Sequence, residues 1–401
     1  MSKQIAFLGQ LRGSRYTAGV VSGPSLYMID EEHSSVRQLT FDLPVTRFAW
    51  SPDGQRIACL SSGYAGEKLT ETLYLLDADG SHLRRLTDEK GGIIWNWSPD
   101  SRQLAFTCFE EDYRSTQRHG ALYVRDLEHG ETHQITREAA YVVWSADTNE
   151  IAFLWSHDTY SISVMAADGA NRRLLFQSNL AVSPCSWSPD NTLLACNVWS
   201  RSQWGAGYED RDSLHVLDVE GNIAFQGEWG ASWLAWSPDS RRIACIAPFE
   251  YYEDEEQGFV ESHEYVYVMG RDGSALQPLA PTTDEVGVAW SPDGQKIAFI
   301  LDDDGYTLGV IDVDRQSLQS YPMAGEDVTG KVHPNTPTWS PDSQQIAYNS
   351  PGLEHLYVIG TNETAPRCLT NNIRQPSNEE DQAHGNERAE HNFIINPAWQ
   401  P

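Results

Sequence analysis

Aromatic and acidic side chains are mixed in three stretches of this sequence, and such mixtures suit ligand binding. Exposed indole and phenol rings anchor peptides or sugars, and carboxylates accept hydrogen bonds from hydroxyl or cationic groups. The candidate binding residues are Trp199, Trp204, Tyr208, Tyr251, Tyr252, Glu253, Asp254 and Glu255, together with Asp112 and Tyr113. The alternative, which the sequence supports equally, is that these rings fold back over the protein as a local minicore.

Three consecutive aspartates, Asp302, Asp303 and Asp304, are the candidate metal ligands. Calcium takes oxygen ligands, so the run suits a hard cation, but the spacing of a full calcium loop is absent. We therefore predict no cofactor, with calcium at these aspartates as the alternative. His129 and His133 are interpreted as surface residues, because a tetrahedral metal site needs further ligands that their neighbourhood does not offer.

The motifs of several enzyme classes are missing from the sequence. It has no Gly-x-Ser-x-Gly nucleophile turn, no His-Glu-x-x-His, no paired Cys-x-x-Cys and no glycine-rich phosphate loop. A serine peptidase is therefore disfavoured. Glycoside hydrolysis needs two carboxylates about 5–10 Å apart, and the sequence has many carboxylates without showing which of them converge.

A tryptophan repeat indicates the elements that position these side chains. The motif Trp-Ser-Pro-Asp, with one Ala in place of Pro, recurs at intervals of 43 to 54 residues, where a four-stranded propeller blade takes about 40–45. Its tryptophans are Trp50, Trp97, Trp144, Trp187, Trp236, Trp290 and Trp339. Two apolar runs flank each tight turn, as in a β-hairpin, and two further strands complete each unit. We predict that the tryptophans pack between blades, since a single blade cannot bury both of its faces.

The two ends of the chain together form one more unit. Asn396–Pro401 begins a repeat that then stops, and Met1–Phe7 reads as its continuation. The fold class is therefore all-β: a propeller of eight four-stranded antiparallel blades in a single domain, 1–401, with seven blades if one unit is degenerate. One C-terminal and three N-terminal strands would close the last blade and remove exposed sheet edges.

The repeat, with its Trp-Ser-Pro-Asp-Gly turn followed by an Ile-Ala-Phe type strand, resembles the WD40-like repeats of TolB-type propellers. It is similar also to the propeller domains of prolyl-oligopeptidase-type enzymes. The resemblance spans essentially the whole chain and implies the propeller fold. It does not imply one function, because such propellers serve many roles. Some propellers of this type resemble carbohydrate lyases, yet no catalytic motif of theirs can be matched here.

In a propeller, the loop after the second strand of each blade and the connection to the next blade emerge on one face. The longest insertions of this sequence fall in those loops, including the acidic one that we expect to begin at Phe249. Binding groups tend to lie on long loops of a rigid scaffold. We therefore predict a non-catalytic recognition scaffold that binds a protein or peptide partner on this acidic, aromatic-bearing loop face. The alternatives are a carbohydrate-active lyase or hydrolase with its site at the channel mouth, and a sensor for a small cationic ligand.

The charge balance restricts the partners. With 57 acidic and 28 basic residues, the formal net charge is −29, which argues against nucleic acid and membrane partners and favours a basic one. Cys59, Cys196 and Cys245 stand where other units have phenylalanine, so they read as small buried hydrophobes, a use that suits a reducing compartment. We expect a cytoplasmic monomer, or a periplasmic or secreted protein if an export signal has been removed.

Overall fold

The computed structural model describes most of the chain, which is the described part. It comprises residues 3–10, 23–65, 68–88, 91–109, 120–156, 159–182, 185–199, 213–227, 229–231, 233–253, 260–282, 287–302, 306–323, 336–350, 355–371 and 393–401. Within these residues, no helix is long and apolar enough to cross a membrane.

Eight antiparallel sheets form the blades of a β-propeller. The first three strands of the chain are β1 (Gln4–Gln10), β2 (Ser25–Asp30) and β3 (Val36–Gln38). Blade 1 consists of β4 (Arg47–Trp50), β5 (Arg56–Ala65), β6 (Lys68–Asp77) and β7 (Arg84–Arg85). Blade 2 consists of β8 (Gly92–Trp97), β9 (Gln103–Phe109), β10 (Gly120–Asp126) and β11 (Thr132–Ala139). Blade 3 consists of β12 (Tyr141–Trp144), β13 (Glu150–Ser156), β14 (Tyr160–Ala166) and β15 (Arg173–Ser178).

Blade 4 has its inner strand in two pieces, and its strands are β16 (Ala181–Val182), β17 (Ser186–Trp187), β18 (Leu193–Trp199), β19 (Ser213–Asp218) and β20 (Ile223–Gln226). Blade 5 consists of β21 (Trp233–Trp236), β22 (Arg242–Glu253), β23 (Val260–Gly270) and β24 (Gln277–Thr282). Blade 6 consists of β25 (Ala289–Trp290), β26 (Lys296–Asp302), β27 (Tyr306–Asp312) and β28 (Ser317–Pro322). Blade 7 consists of β29 (Thr338–Trp339), β30 (Gln345–Asn349), β31 (Leu356–Gly360) and β32 (Arg367–Cys368). The last strand, β33 (Phe393–Trp399), pairs with β1.

The Ser-Pro-Asp turn between the first two strands of a blade is held by its own side chains. In blade 1 the Ser51 hydroxyl donates to Asp53 Oδ1 at 2.6 Å and accepts from the backbone N–H of Arg56 at 2.9 Å. Gly54 follows at a φ of 67°, a region that glycine enters without steric cost. The serine-to-aspartate bond recurs in the other six turns, at Ser98, Ser145, Ser188, Ser237, Ser291 and Ser340. The repeated polar residues therefore serve turn structure.

The hydrophobic core lies between neighbouring blades. Leu60 of blade 1 packs with Phe106 of blade 2, and Ile300 of blade 6 packs with Tyr348 of blade 7. Fully burying side chains of this size contributes roughly 1.5–3 kcal/mol each. The prediction that the repeat tryptophans pack between blades is confirmed, because seven of the eight, Trp399 included, are no more than 9% exposed and Trp290 is partly buried.

The predicted closure of the ring by both chain ends is confirmed. Strand β33 pairs with β1, placing Trp399 opposite Ile5, and the indole of Trp50 donates to the carbonyl of Ala398 at 3.2 Å. Gln400 donates from its side chain to the carbonyl of Gly54 at 2.7 Å, so the last residues also reach blade 1. With this closing blade (β33 and β1–β3), the ring has eight blades.

The structure differs from the sequence analysis where the second and third strands of blade 5 meet. The sequence predicts a loop from Phe249, whereas β22 continues to Glu253 and pairs Tyr252 with Glu261 of β23. Aromatic residues such as Tyr251 and Tyr252 favour strands. The hairpin therefore extends further toward the loop face than the repeat alone indicates.

None of the six cysteines forms a disulfide, and Cys59, Cys196 and Cys245 are fully buried. Burial raises the pKa of the Cys59 and Cys245 thiols to about 12. Because the thiolate is the reactive form of cysteine, these side chains act in packing, as the repeat alignment predicts.

Candidate functional site

A cavity of about 1000 Å³ occupies the central channel. It follows the inner strands of blades 1 and 2 and of the closing blade, and single residues of blades 3, 5 and 7 complete its wall. The inner strands of consecutive blades contact one another around the ring, and β4 of blade 1 is joined to both of its neighbours by the indole hydrogen bonds of Trp97 and Trp50. The cavity is thus a consequence of eight strands meeting around one axis.

Five of the side chains that line the cavity come from the same position in the repeat. Arg47, Tyr141, Trp233, Thr336 and Asn396 all line the cavity, and each lies three residues before the repeat tryptophan of its blade. Three of them begin their strands, so this ring lies at the end of the channel that opens on the loop face. With Trp95, these five residues are called the channel mouth below.

Arg47 is held in place by a buried carboxylate and an indole. Its Nη2 atom donates to the carbonyl of Ile93 at 2.8 Å and lies 3.6 Å from Glu71 Oε2, and its guanidinium carbon is 5.2 Å from the ring centre of Trp95. Glu71 accepts from the backbone N–H of Ile93 at 2.6 Å and from Ser62 at 3.2 Å. A buried carboxylate is tolerated when it is paired and hydrogen-bonded in this way. The Arg47 side chain itself remains 47% exposed.

Trp233 lies against a glycine on the other side of the channel. A Cβ atom added at Gly287 would come within 3.1 Å of Trp233 Cε3 and 2.9 Å of Thr336 Oγ1. The missing side chain at Gly287 therefore makes room for the indole, which is 45% exposed. The backbone N–H of Gly287 donates to Thr336 Oγ1 at 3.0 Å, and none of the described residues accepts a hydrogen bond from the Thr336 hydroxyl.

A β-bulge places Asn396 in the channel mouth. Strand β33 pairs Ala398 with Ala6 and Ile395 with Leu8, so two residues, Asn396 and Pro397, stand opposite one. Asn396 takes a φ of 52°, a region in which asparagine is one of the few tolerated side chains. Bulges commonly re-aim side chains beside functional sites, and Asn396 is exposed and lines the cavity.

The channel mouth combines aromatic surface with hydrogen-bond donors. Burial raises the pKa of the Tyr141 phenol, so the group stays protonated at neutral pH. No aspartate or glutamate occurs among the described residues that line the cavity, and Arg47 is their one charged side chain. The arrangement is therefore suited to holding an aromatic or apolar group next to hydrogen-bond acceptors.

The sequence-predicted binding residues fall on or beyond the ends of the described strands. Trp199 ends β18, and Tyr251, Tyr252 and Glu253 end β22 of the next blade. The residues Asp112, Tyr113, Trp204, Tyr208, Asp254 and Glu255 lie outside the described part of the chain. The structure thus places two of the three stretches on neighbouring blades 4 and 5, at their loop-face ends.

The metal-site prediction is only partly covered by the described residues. Asp302 ends β26 and pairs with Tyr306, whereas Asp303 and Asp304 lie outside them. Elsewhere in the described ranges, no three His, Cys, Asp or Glu side chains come together as metal ligands would. His129 and His133 are exposed by 70% and 66%, and each pairs with a nearby carboxylate, which confirms them as surface residues.

Sequence reasoning missed the channel mouth itself. Arg47 and Trp233 were not singled out, because their stretches carry no unusual composition. Aligning the repeats on their tryptophans shows that the position three residues earlier holds Arg, Ile, Tyr, Pro, Trp, Gly, Thr and Asn in chain order, without the regularity of the turn residues. Only the strand placement in the structure shows that this position faces the channel.

Solved structures with the same fold are distant in sequence. A eukaryotic initiation factor is 11% identical and covers 100% of this chain and 98% of that one, with a TM-score of 0.54. Oligogalacturonate lyase from Vibrio parahaemolyticus is 14% identical, covers 92% and 97% and has a TM-score of 0.52. Sqt1 from Chaetomium thermophilum is 15% identical, covers 89% and 87% and also has a TM-score of 0.52. At these identities the likeness shows the fold alone.

Sequence comparison identifies the family. No curated protein sequence matches the chain. Residues 21–226, which are more than half of the 401 residues, match the family described as the TolB beta propeller domain. The match agrees with the repeat and with the eight-bladed ring described above. The chain belongs to the TolB beta propeller domain family.

Proposed function

We propose that the protein is a non-catalytic recognition module that binds a protein or peptide partner on its loop face. The channel mouth receives an aromatic or apolar side chain of that partner. The observation that carries the proposal is Trp233, a large apolar side chain 45% exposed at the edge of a cavity of about 1000 Å³.

An exposed indole of this kind is a favourable anchor. Trp and Arg are enriched among the residues that dominate binding energy at interfaces, and the channel mouth holds both types. Trp233 rests against Gly287, and Arg47 rests on Trp95. Side chains already fixed in the free protein lose little entropy on binding. A cavity of this volume is at the upper end of the range for small-ligand sites, about 300–1000 Å³, and holds one or two side chains with water.

The enzymatic alternative, a lyase or hydrolase acting on carbohydrate, has less support. Glycoside hydrolysis needs two carboxylates about 5–10 Å apart, and the described lining residues include no carboxylate. The likeness to an oligogalacturonate lyase is at 14% identity, where fold and function separate. The geometry of the described channel therefore favours binding over paired-carboxylate chemistry.

The remaining properties of the module are part of the same proposal. We take 1–401 as one domain, with β33 supplying its closing strand from the same chain, and we propose a monomer.

The formal charge of −29 supports a partner with basic groups at the outer loops and disfavours nucleic acid and anionic membranes. Cysteines without disulfides, most of them buried, support a cytoplasmic location, with a periplasmic or secreted location as the alternative.

A peptide selection tests the proposal. We expect wild-type protein to enrich peptides from a displayed random dodecapeptide library, and the Trp233→Ala variant to bind those peptides about tenfold more weakly or worse, because an anchoring aromatic contributes 2 kcal/mol or more. Binding is measured by fluorescence polarisation with the synthetic peptides. The matched control is Leu318→Ala, since Leu318 is 44% exposed on β28, outside the channel.

Two results would contradict the proposal. One is a selection that enriches no peptide on folded wild-type protein. The other is a set of enriched peptides that bind the Trp233→Ala and Leu318→Ala variants equally well, since their site would then lie outside the channel mouth.

A further inference from the structure

We infer that the channel mouth selects ligands that carry a carboxylate beside an aromatic or apolar group, with Arg47 as the anion-binding residue. The inference rests on the proposed function and adds the chemical class that the site accepts. It differs from the expectation drawn from net charge, which favours basic partners over the surface as a whole.

The first step is the excess of donors over acceptors in the channel mouth. Nη2 of Arg47 has partners, but none of the described residues accepts a hydrogen bond from its Nη1 or Nε. The Thr336 hydroxyl accepts from Gly287, and no described residue accepts its proton. An acceptor-rich ligand complements such a lining, and a carboxylate is the strongest common acceptor.

The second step is the fixed orientation of the guanidinium group. Glu71 is 6% exposed and lies on one edge of Arg47, while Trp95 lies beneath it. A planar guanidinium held by a carboxylate and an aromatic face is preorganised, so a ligand loses little by ordering it further. The buried pair with Glu71 leaves the outer edge of Arg47 to a second anion. The structure thus provides an arginine between a buried carboxylate and an open channel.

The third step is the placement of this cation in an acidic protein. The chain carries 57 acidic and 28 basic residues, yet the described lining of the channel has a single charge, and it is positive. Within a narrow cavity, a partly desolvated charge acts over short distances more strongly than the screened charges of the outer surface. The channel mouth and the outer surface therefore select different chemistry.

Three small probes separate the sources of the carboxylate. N-acetylphenylalanine carries a terminal carboxylate, N-acetylphenylalaninamide carries none, and N-acetyl-aspartyl-phenylalaninamide carries one on a side chain. We expect wild-type protein to bind the terminal carboxylate at least about tenfold more tightly than the amide, as for hydrogen bonds to charged groups. Ligand-observed saturation-transfer NMR titrations measure the three affinities. If the protein binds the aspartyl probe more tightly than N-acetylphenylalanine, the preference is for a side-chain carboxylate.

Variants test the role of Arg47. We expect Arg47→Gln to bring the affinity for N-acetylphenylalanine down to that for the amide, with little effect on the amide, and Arg47→Lys to restore part of the difference. Arg102→Gln is the matched control, because Arg102 is 68% exposed outside the channel. If Arg47→Gln leaves Glu71 unpaired and does not fold, the Arg47→Gln/Glu71→Gln double variant removes both charges.

The inference is overturned if wild-type protein binds the three probes equally or not at all, or if a folded Arg47→Gln variant keeps the preference for the carboxylate. Its failure is distinct from failure of the proposed function. Peptides that need Trp233 but show no carboxylate preference would leave recognition at the channel mouth intact and reject the role of Arg47.

Discussion

At the scale of single residues, the indole N–H groups of the repeat tryptophans fall into two sets. Six of them donate to the carbonyl that immediately precedes the tryptophan of the previous blade, as Trp339 does to Ala289 at 3.0 Å. Trp144 and Trp187 are equally buried, but neither has an acceptor among the described residues. Ring burial is therefore common to the repeat, and the hydrogen bond is an addition at six of the eight positions.

This difference predicts unequal costs for the same substitution. Trp339 and Trp187 are both 7% exposed, so Trp339→Phe and Trp187→Phe lose similar packing, but only the first loses a hydrogen bond. We expect Trp339→Phe to lower the free energy of unfolding by about 1 kcal/mol more than Trp187→Phe. Urea unfolding at neutral pH measures both. Equal losses, or a larger loss for Trp187→Phe, would show that the indole bond adds nothing to stability.

At the scale of elements, the Ser-Pro-Asp turns also join neighbouring blades. Asp190 accepts from the Ser188 hydroxyl at 2.6 Å within its own turn, and from Arg271 of blade 5 at 2.8 Å. Partial burial acts to raise the pKa of Asp190, but the bonds from Ser188, Thr192 and Arg271 outweigh it and lower the pKa to about 2. The turn is therefore held by an ionised aspartate.

The lowered pKa predicts how this turn responds to acid. A carboxyl whose pKa is lower in the folded state stabilises the fold above its ordinary pKa of 3.8 and loses that effect as the pH falls toward about 2. We expect Asp190→Asn to be less stable than wild type at pH 7, with the difference shrinking between pH 4 and pH 2. Urea unfolding across this range measures it, with Asp88→Asn, an exposed aspartate outside the repeat turns, as control. A difference that is unchanged or larger at pH 2 would refute the role of the ionised group.

The elements were easier to predict than the site. The turn residues and tryptophans recur, so their spacing predicted eight blades and a shared closing blade. The extension of β22 to Glu253 was missed because strand pairing with β23, rather than repeat length, decides where the hairpin ends. Arg47 depends on Glu71 and Ile93, two residues from other strands. Asn396 depends on a bulge set by pairing with β1. Contacts between distant parts of the chain are not visible in local sequence.

At the scale of the whole molecule, closure of the ring is what fixes the channel mouth. The two chain ends pair through β33 and β1, and the closing blade is tied to blade 7 by the ion pairs of Lys3 with Asp342, at 2.7 Å, and of Glu31 with Arg367. Because the inner strands contact one another around the ring, residues from six blades meet in one cavity, and all residues of the channel mouth except Thr336 lie on strands. A rigid scaffold of this kind holds binding groups in place before the ligand arrives.

The central claim, that a partner binds in the channel mouth, is tested most directly by fluorine NMR of protein labelled with 5-fluorotryptophan. The Trp233 resonance is assigned with a Trp233→Phe variant, and a peptide selected on wild-type protein is then titrated in. We predict a saturable shift of the Trp233 resonance, while Trp399, buried between blade 7 and the closing blade, stays unchanged. Binding detected by polarisation with no change at Trp233 would contradict the claim and place the partner elsewhere on the protein.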